Sequence, residues 1–229
     1  MNKDLSESPQ VQVSVVLPIF EEAEEIKSLV PTIVEVLRSA ETSFEIIAVD
    51  DGSRDETPGV LKGLRQEYPE YLHIVRHLNN RGNGSALRTG ARVACGELIV
   101  NLDSDGQHSP EDMLKLIEEI PPYDLVIGAR RSSYKGTWYR NLANKFYNRF
   151  ASWLSGIEVK DLTSGFRVMR RSALLHFLPL FPTGFSAPTT TTLAFLKAGY
   201  NVAFVPIDVK SRASGKSKIR IWDDGARFV

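Results

Sequence analysis

Three short apolar runs in this chain each stop at an acidic residue, and the stretches between them suit helices. Val13 to Pro18 reads as a buried strand that closes on a proline and leads into Phe20-Glu21-Glu22. Phe44 to Val49 stops at Asp50-Asp51-Gly52-Ser53, and Leu98-Ile99-Val100 stops at Asp103. From about Glu24 to Leu37, apolar residues recur three and four apart, which predicts a helix. Strands alternating with helices build a parallel sheet, and carboxylates at the strand ends place a binding crevice along one edge of it. The expected class is α/β, with a Rossmann-like, mostly parallel central sheet flanked by helices.

The most informative of these strand ends is Asp103-Ser104-Asp105-Gly106-Gln107-His108. Strand alternation points Asp103 and Asp105 to one side, so both can face a single cation. Two fixed carboxylates repel each other unless a cation sits between them, and hard oxygen ligands suit Mg2+ or Mn2+. Gln107 offers a neutral oxygen. The same residue types also make ordinary turns, and His108, beside Ser109 and Pro110, reads as a turn residue rather than a ligand.

With 229 residues and 42% apolar side chains, the chain can bury one substantial core. One domain over residues 11–229 is expected, after a flexible tail at residues 1–10. No repeat, low-complexity tract or Pro/Gly linker divides it. The single Cys95 cannot form an internal disulfide, fits a reducing compartment and reads as a packing residue. No run of about 18 apolar residues occurs, and the polar start from Met1 to Pro9 is not a signal peptide.

Net charge is formally zero, but it is unevenly spread. Residues 125–220 carry 16 Lys and Arg against only Glu158, Asp161 and Asp208, while the rest carries 12 against 25 acids. Cations so placed suit a diphosphate, a lipid phosphate or an anionic membrane face. No DNA- or RNA-binding motif accompanies them, so no nucleic-acid partner is expected. Trp138 to Leu154 is aromatic, basic and helix-compatible; Trp138, Phe146, Phe150 and Trp153 either pack on the sheet or face a membrane with Arg140, Lys145 and Arg149.

Five segments, taken in order, carry a family resemblance. They are Pro18-Ile19-Phe20-Glu21-Glu22, Val49-Asp50-Asp51-Gly52-Ser53, Asp103 to His108, Ser164-Gly165-Phe166-Arg167, and Arg212-Ala213-Ser214-Gly215-Lys216-Ser217-Lys218. Together they resemble the motifs of family 2 glycosyltransferases with the GT-A fold, most closely the dolichol-phosphate mannose synthase and polyprenyl-phosphate glycosyltransferase branch. The resemblance implies that Pro18, Phe20, Glu22, Asp50 and Asp51 hold the nucleoside, with Asp103 at the ribose. Gly82 and Gly84, just before a helix start, are added because glycine lets phosphate or ribose oxygens approach helix-start amides. Neither the GxGxxG spacing of a dinucleotide fold nor a P-loop is present.

By the same resemblance Asp103, Asp105 and Gln107 bind Mg2+ or Mn2+. Arg130 and Arg140 contact the sugar diphosphate or the acceptor phosphate. Asp161 and Ser164 line the acceptor side, and residues 183–196 resemble the acceptor-side helix. Arg212, Ser217 and Lys218 belong to a basic loop that closes over the diphosphate. Asp105, Arg130, Arg140, Asp161 and Arg212 form the catalytic set. The activity implied is metal-dependent, inverting transfer of a hexose from a nucleoside-diphosphate sugar, of GDP-mannose or UDP-glucose type, to a polyprenyl or dolichyl phosphate. The setting implied is cytoplasmic, peripheral to the inner membrane face, with any C-terminal membrane anchor absent or removed. Two other readings stay open: a glycosyltransferase acting on a saccharide, which needs a base such as Asp161, and a non-catalytic nucleotide-sugar binding module.

Overall fold

The computed structural model describes residues 11–131, 147–153, 156–184 and 186–209. In chain order the elements begin β1 (Val13–Ile19), α1 (Ala23–Ser39), β2 (Phe44–Asp50), α2 (Thr57–Glu67), β3 (Leu72–Arg76) and α3 (Asn83–Val93). They continue with β4 (Leu98–Asn101), α4 (Asp112–Glu118), β5 (Leu125–Arg130), a helical segment α5 at residues 147–153, and β6 (Arg167–Arg170). The described part ends with α6 (Arg171–Phe177), α7 (Ala187–Lys197) and β7 (Val202–Ile207).

Among the described residues the strands form one seven-stranded sheet in the order β3-β2-β1-β4-β6-β5-β7. Its strands are apolar on both faces because each face is covered by helices. Along β1, Val13, Val15, Leu17 and Ile19 join the core beneath α1 and α4, while Val16 joins the core on the α3 side. β2 splits the same way, with Ile46 and Ala48 on one side and Ile47 and Val49 on the other. α1 buries Ile26, Leu29, Val30, Ile33, Val34 and Leu37, the stripe its sequence shows, and sets Glu24 and Glu25 in its first turn, where the helix dipole favours them.

One strand departs from the parallel pattern and matters for the site. β6 runs antiparallel to both β4 and β5, whereas every other pairing is parallel. Its first residue, Arg167, therefore lies opposite Asn101 and Ile127, at the sheet edge where the parallel strands end. The segment leading into β6 is thereby delivered to the crevice that the loops after β1, β2 and β4 define.

Three expectations are corrected here. β4 ends at Asn101, so Asp103 and Asp105 stand in a loop, not on an alternating strand. Cys95 is exposed and is not a packing residue. α5 buries only Ala151 against Leu196 and its neighbours and leaves Phe150 and Trp153 out in solvent, so these aromatics do not pack on the sheet. Trp138 and Phe146 lie outside the described residues. Among the described residues, no helix is long and apolar enough to cross a membrane.

Candidate active site

The loops at the sheet edge are tied to one another by side-chain to backbone bonds. The amide of Glu21 donates to Ser53 Oγ (3.0 Å) and that of Glu22 to Thr57 Oγ1 (3.1 Å), fastening the loop after β1 to the one after β2. The Ser104 hydroxyl meets the Pro18 carbonyl at 2.6 Å and also the Glu22 carboxylate, fastening the same loop to the acidic segment. Glu21 takes a positive φ of 53°, a conformation non-glycine residues avoid and which here is fixed by these bonds. Pro18 and Glu22 are thus tied to Ser104, between Asp103 and Asp105.

Asp50 and Asp51 are both buried, and they do different things. Asp50 Oδ1 accepts from the Ser53 amide (2.8 Å), and Oδ2 lies 3.1 Å from Arg76 Nε but out of hydrogen-bonding line. Asp51 is fully engaged: it accepts from His77 Nδ1 and from the amides of Arg81 and Gly82. Its carboxylate holds the protein's own loop, a different task from the nucleoside contact expected of it. Gly82 and Gly84 also differ from expectation. A Cβ on Gly82 would stand 2.3 Å from the Thr183 carbonyl oxygen, and one on Gly84 2.1 Å from that of Pro182. The amides of Gly84 and Ser85 donate to the carbonyls of Gly184 and Thr183. The close approach that these glycines permit is therefore made by the backbone of residues 182–184, and the start of α3 is already satisfied there.

The acidic pair sits across from the segment that precedes β6. A Cβ on Gly165 would stand 2.1 Å from Asp103 Oδ2, so only glycine lets this carboxylate lie against the backbone. Asn101 steadies that floor by donating from Nδ2 to the Gly165 carbonyl (2.7 Å). Asp105 Oδ1 accepts from the Gln107 amide (3.1 Å), which turns the loop. Burial pushes the Asp103 carboxyl above its usual range; His108 and Arg167 pull it back, and Asp105 adds to the rise. Among the described residues no three His, Cys, Asp or Glu side chains form a cage for an ion. Two carboxylates and one amide oxygen instead make the hard, incomplete donor set that Mg2+ or Mn2+ takes together with phosphate oxygens and water. Asp103, Asp105 and Gln107 fit such an ion.

On the far side, Arg130 and Asp161 form a two-pronged ion pair, Nε to Oδ2 at 2.8 Å and Nη2 to Oδ1 at 2.9 Å. Burial raises the Asp161 carboxyl, but the hydrogen bonds and charge of Arg130, with the Thr163 amide, outweigh it and hold the carboxyl below its usual range. Arg130 and Asp161 thus bind each other, which weighs against Asp161 as the base that the saccharide-acceptor reading needs. Nearby, Arg167 is 1% exposed and donates to the carbonyls of Ser164 (3.1 Å) and Pro188 (2.9 Å) and to Thr192 Oγ1 (3.3 Å). Burial pulls its pKa down to about 10, against the opposing charges of Asp161 and Asp103, so it stays a cation at neutral pH.

His108, read from the sequence as a turn residue, lies in a bend, and its ring is buried and tilted 44° to that of Phe166, centroid to centroid 5.2 Å. Burial lowers its pKa, and Asp103 and Asp105 oppose that shift. Among the described residues, the buried side-chain atoms without a hydrogen-bond partner include Asp50 Oδ2, Asn101 Oδ1, His108 Nδ1 and Ser164 Oγ. All four belong to the segments that frame this crevice. Asp50 Oδ2 faces the Arg76 charge, and the other three are buried polar atoms of the kind that is normally matched. Arg140, Arg212, Ser217 and Lys218 lie outside the described residues.

A mostly parallel sheet with these acidic loops at one edge defines the GT-A class of nucleotide-dependent sugar transferases. The chain belongs to glycosyl transferase family 2, whose sequence model matches residues 14–178. An uncharacterized glycosyltransferase of Synechocystis is 29% identical over 218 residues, covering 93% of this chain and 65% of that protein. The undecaprenyl-phosphate 4-deoxy-4-formamido-L-arabinose transferase of Sodalis glossinidius is 30% identical over 188 residues, 78% of this chain and 57% of that protein. The chain thus spans about three fifths of the length of these curated relatives. Glucosyl-3-phosphoglycerate synthase from Mycobacterium tuberculosis, crystallised with Mn2+, UDP and phosphoglyceric acid, superposes with a TM-score of 0.69 at 20% identity, covering 94% of this chain and 73% of that one. A mannosyltransferase from Pyrobaculum calidifontis with GDP-Man and Mn2+ gives 0.65 at 23% identity, covering 93% and 61%.

Proposed function

We propose that this chain transfers a hexose from a nucleoside-diphosphate sugar to a polyprenyl phosphate at the cytosolic membrane face, using Mg2+ or Mn2+. The crevice edge formed by Pro18, Phe20, Glu22 and Asp50 takes the nucleoside, whose base and ribose offer donors to carboxylate oxygens. Asp103, Asp105 and Gln107 hold the divalent ion, which neutralises charge on the departing nucleoside diphosphate. Arg140, Arg212, Ser217 and Lys218 are assigned to the diphosphate and the acceptor phosphate on the strength of the family motifs. Positioning and charge neutralisation supply most of the rate.

The ion pair of Asp161 with Arg130 is the observation that carries the choice of acceptor. A sugar hydroxyl needs a base to take its proton, and a carboxylate held below its usual pKa by a two-pronged arginine serves that task poorly. A lipid phosphate is already anionic near neutral pH and needs none. The relatives named for undecaprenyl phosphate support the same choice. So do Phe150 and Trp153, exposed on α5 together with Arg149, a combination suited to a membrane interface. The M. tuberculosis neighbour favours a second reading, in which the acceptor is a small phosphorylated acid. The test is turnover of labelled UDP- and GDP-sugars with Mn2+ on polyprenyl phosphate, phosphoglycerate and oligosaccharides in parallel. Product on polyprenyl phosphate is expected; product on an oligosaccharide alone contradicts the proposal.

A further inference from the structure

His77 closes a buried hydrogen-bond chain for which the proposed chemistry has no use. It follows β3, is 7% exposed, and places Nδ1 2.6 Å from Asp51 Oδ1 and Nε2 2.9 Å from Thr89 Oγ1 on α3. Its own amide donates to the Asp50 carbonyl (2.9 Å). Asp51, itself 3% exposed, accepts from the amides of Arg81 (3.0 Å) and Gly82 (2.7 Å) as well. A buried carboxylate keeps its charge only when donors surround it, so the His77 proton belongs on Nδ1, and Nε2 accepts from the Thr89 hydroxyl when the ring is neutral.

The chain joins the ends of β2 and β3, the loop at residues 79–82, and α3. That loop also lies flat against Gly52, where a Cβ would stand 2.6 Å from the Asn79 carbonyl carbon. Asp51 therefore sets where the loop sits beside Asp50, and His77 sets Asp51. The order Asp-His-Thr imitates a hydrolase triad, but Thr89 is a half-buried helix residue of α3, away from the acidic pair by sequence and element. The geometry points to a mechanical task.

We propose that His77 is a positioning residue for donor binding: by holding Asp51 against the loop at residues 79–82 it fixes the end of β2, and with it Asp50, at the edge of the nucleotide-sugar site. This rests on the donor class proposed above. Ligand-orienting partners one shell out typically change affinity about tenfold or more.

An asparagine amide reaches the place of Nδ1, and a glutamine amide that of Nε2. His77→Asn thus keeps the donor to Asp51 and loses Thr89, His77→Gln does the reverse, and His77→Leu loses both. Affinity for UDP and GDP with Mn2+ by titration calorimetry is read beside hydrogen exchange over residues 79–85. The Gln and Leu variants are expected to bind nucleotide about tenfold more weakly, to raise donor KM more than they lower kcat, and to exchange faster at residues 79–85. His77→Asn is expected to restore affinity to within about threefold. Wild-type affinity in the Gln variant, or no rescue by Asn, overturns the inference. Should the wild type bind neither nucleotide, the donor class falls, while exchange still reads on His77: wild-type exchange in the Gln variant overturns the positioning role by itself. If His77→Leu does not fold, the Asn and Gln pair decides.

Discussion

The Asp103 carboxyl is held above its ordinary range by burial and by Asp105, against the pull of His108 and Arg167. A raised folded pKa gives a contribution that is full below the unfolded value of about 3.9 and is lost as pH rises through the folded one. At neutral pH the ionised group therefore costs stability, which a cation would repay. Asp103→Asn is expected to raise the melting temperature of the ligand-free protein at pH 7 while cutting transfer by about 100-fold or more. A lower melting temperature contradicts this. Asp161 has the opposite sign: its depressed carboxyl stabilises the fold above about pH 3.9, and that contribution is lost as pH falls through the folded value. Asp161→Asn is expected to be less stable than the wild type at pH 7 and to lose stability with a shallower pH slope below about pH 4. An unchanged slope contradicts it.

Elements around the crevice are joined by single buried residues, and Arg167 is the strongest case. It ties the start of β6 to α7 through Pro188 and Thr192 while facing Asp103 and Asp161. Arg167→Met removes the only charge that β6 brings to these acids and leaves carbonyls unmatched, so a loss of about 3–5 kcal/mol in urea unfolding is expected. A loss under about 1 kcal/mol shows that the contacts are dispensable. This strand was also the element least visible in the sequence. β1, β2, β4 and α1 announce themselves through apolar runs and a helical stripe, because local burial alone decides them. β6 is four residues, Arg-Val-Met-Arg, with a cation at each end, and its burial comes from β4 and β5 beside it and α4 and α6 against it. The acidic pair and the loop after β1 could be placed from their motifs. The use of Gly82 and Gly84 could not, since their partner is the backbone of residues 182–184, about a hundred positions away. Asp51 with His77, and Arg130 with Asp161, are likewise pairs that only the folded sheet brings together.

Across the whole molecule the acids gather on the half assigned to the nucleotide and metal, and the cations on the half assigned to phosphate. A ligand that binds only the folded chain must stabilise it, by about 2.7 kcal/mol at 100 times its Kd. For a chain of this size that amounts to a rise of about 5–10 °C in melting temperature with nucleotide and Mn2+ together. The rise is expected to vanish in chelator; a rise with nucleotide alone, equal in size, contradicts a shared metal site. The most direct measurement is mass-spectrometric detection of glycosylated polyprenyl phosphate from the purified chain, its donor sugar and Mn2+, beside the Asp105→Ala variant and a chelated control. Product from the wild type alone, with the variant folded and both controls silent, is the expected result. Equal product from all three, or none from the wild type with any UDP- or GDP-sugar, contradicts a metal-assisted transfer to lipid phosphate.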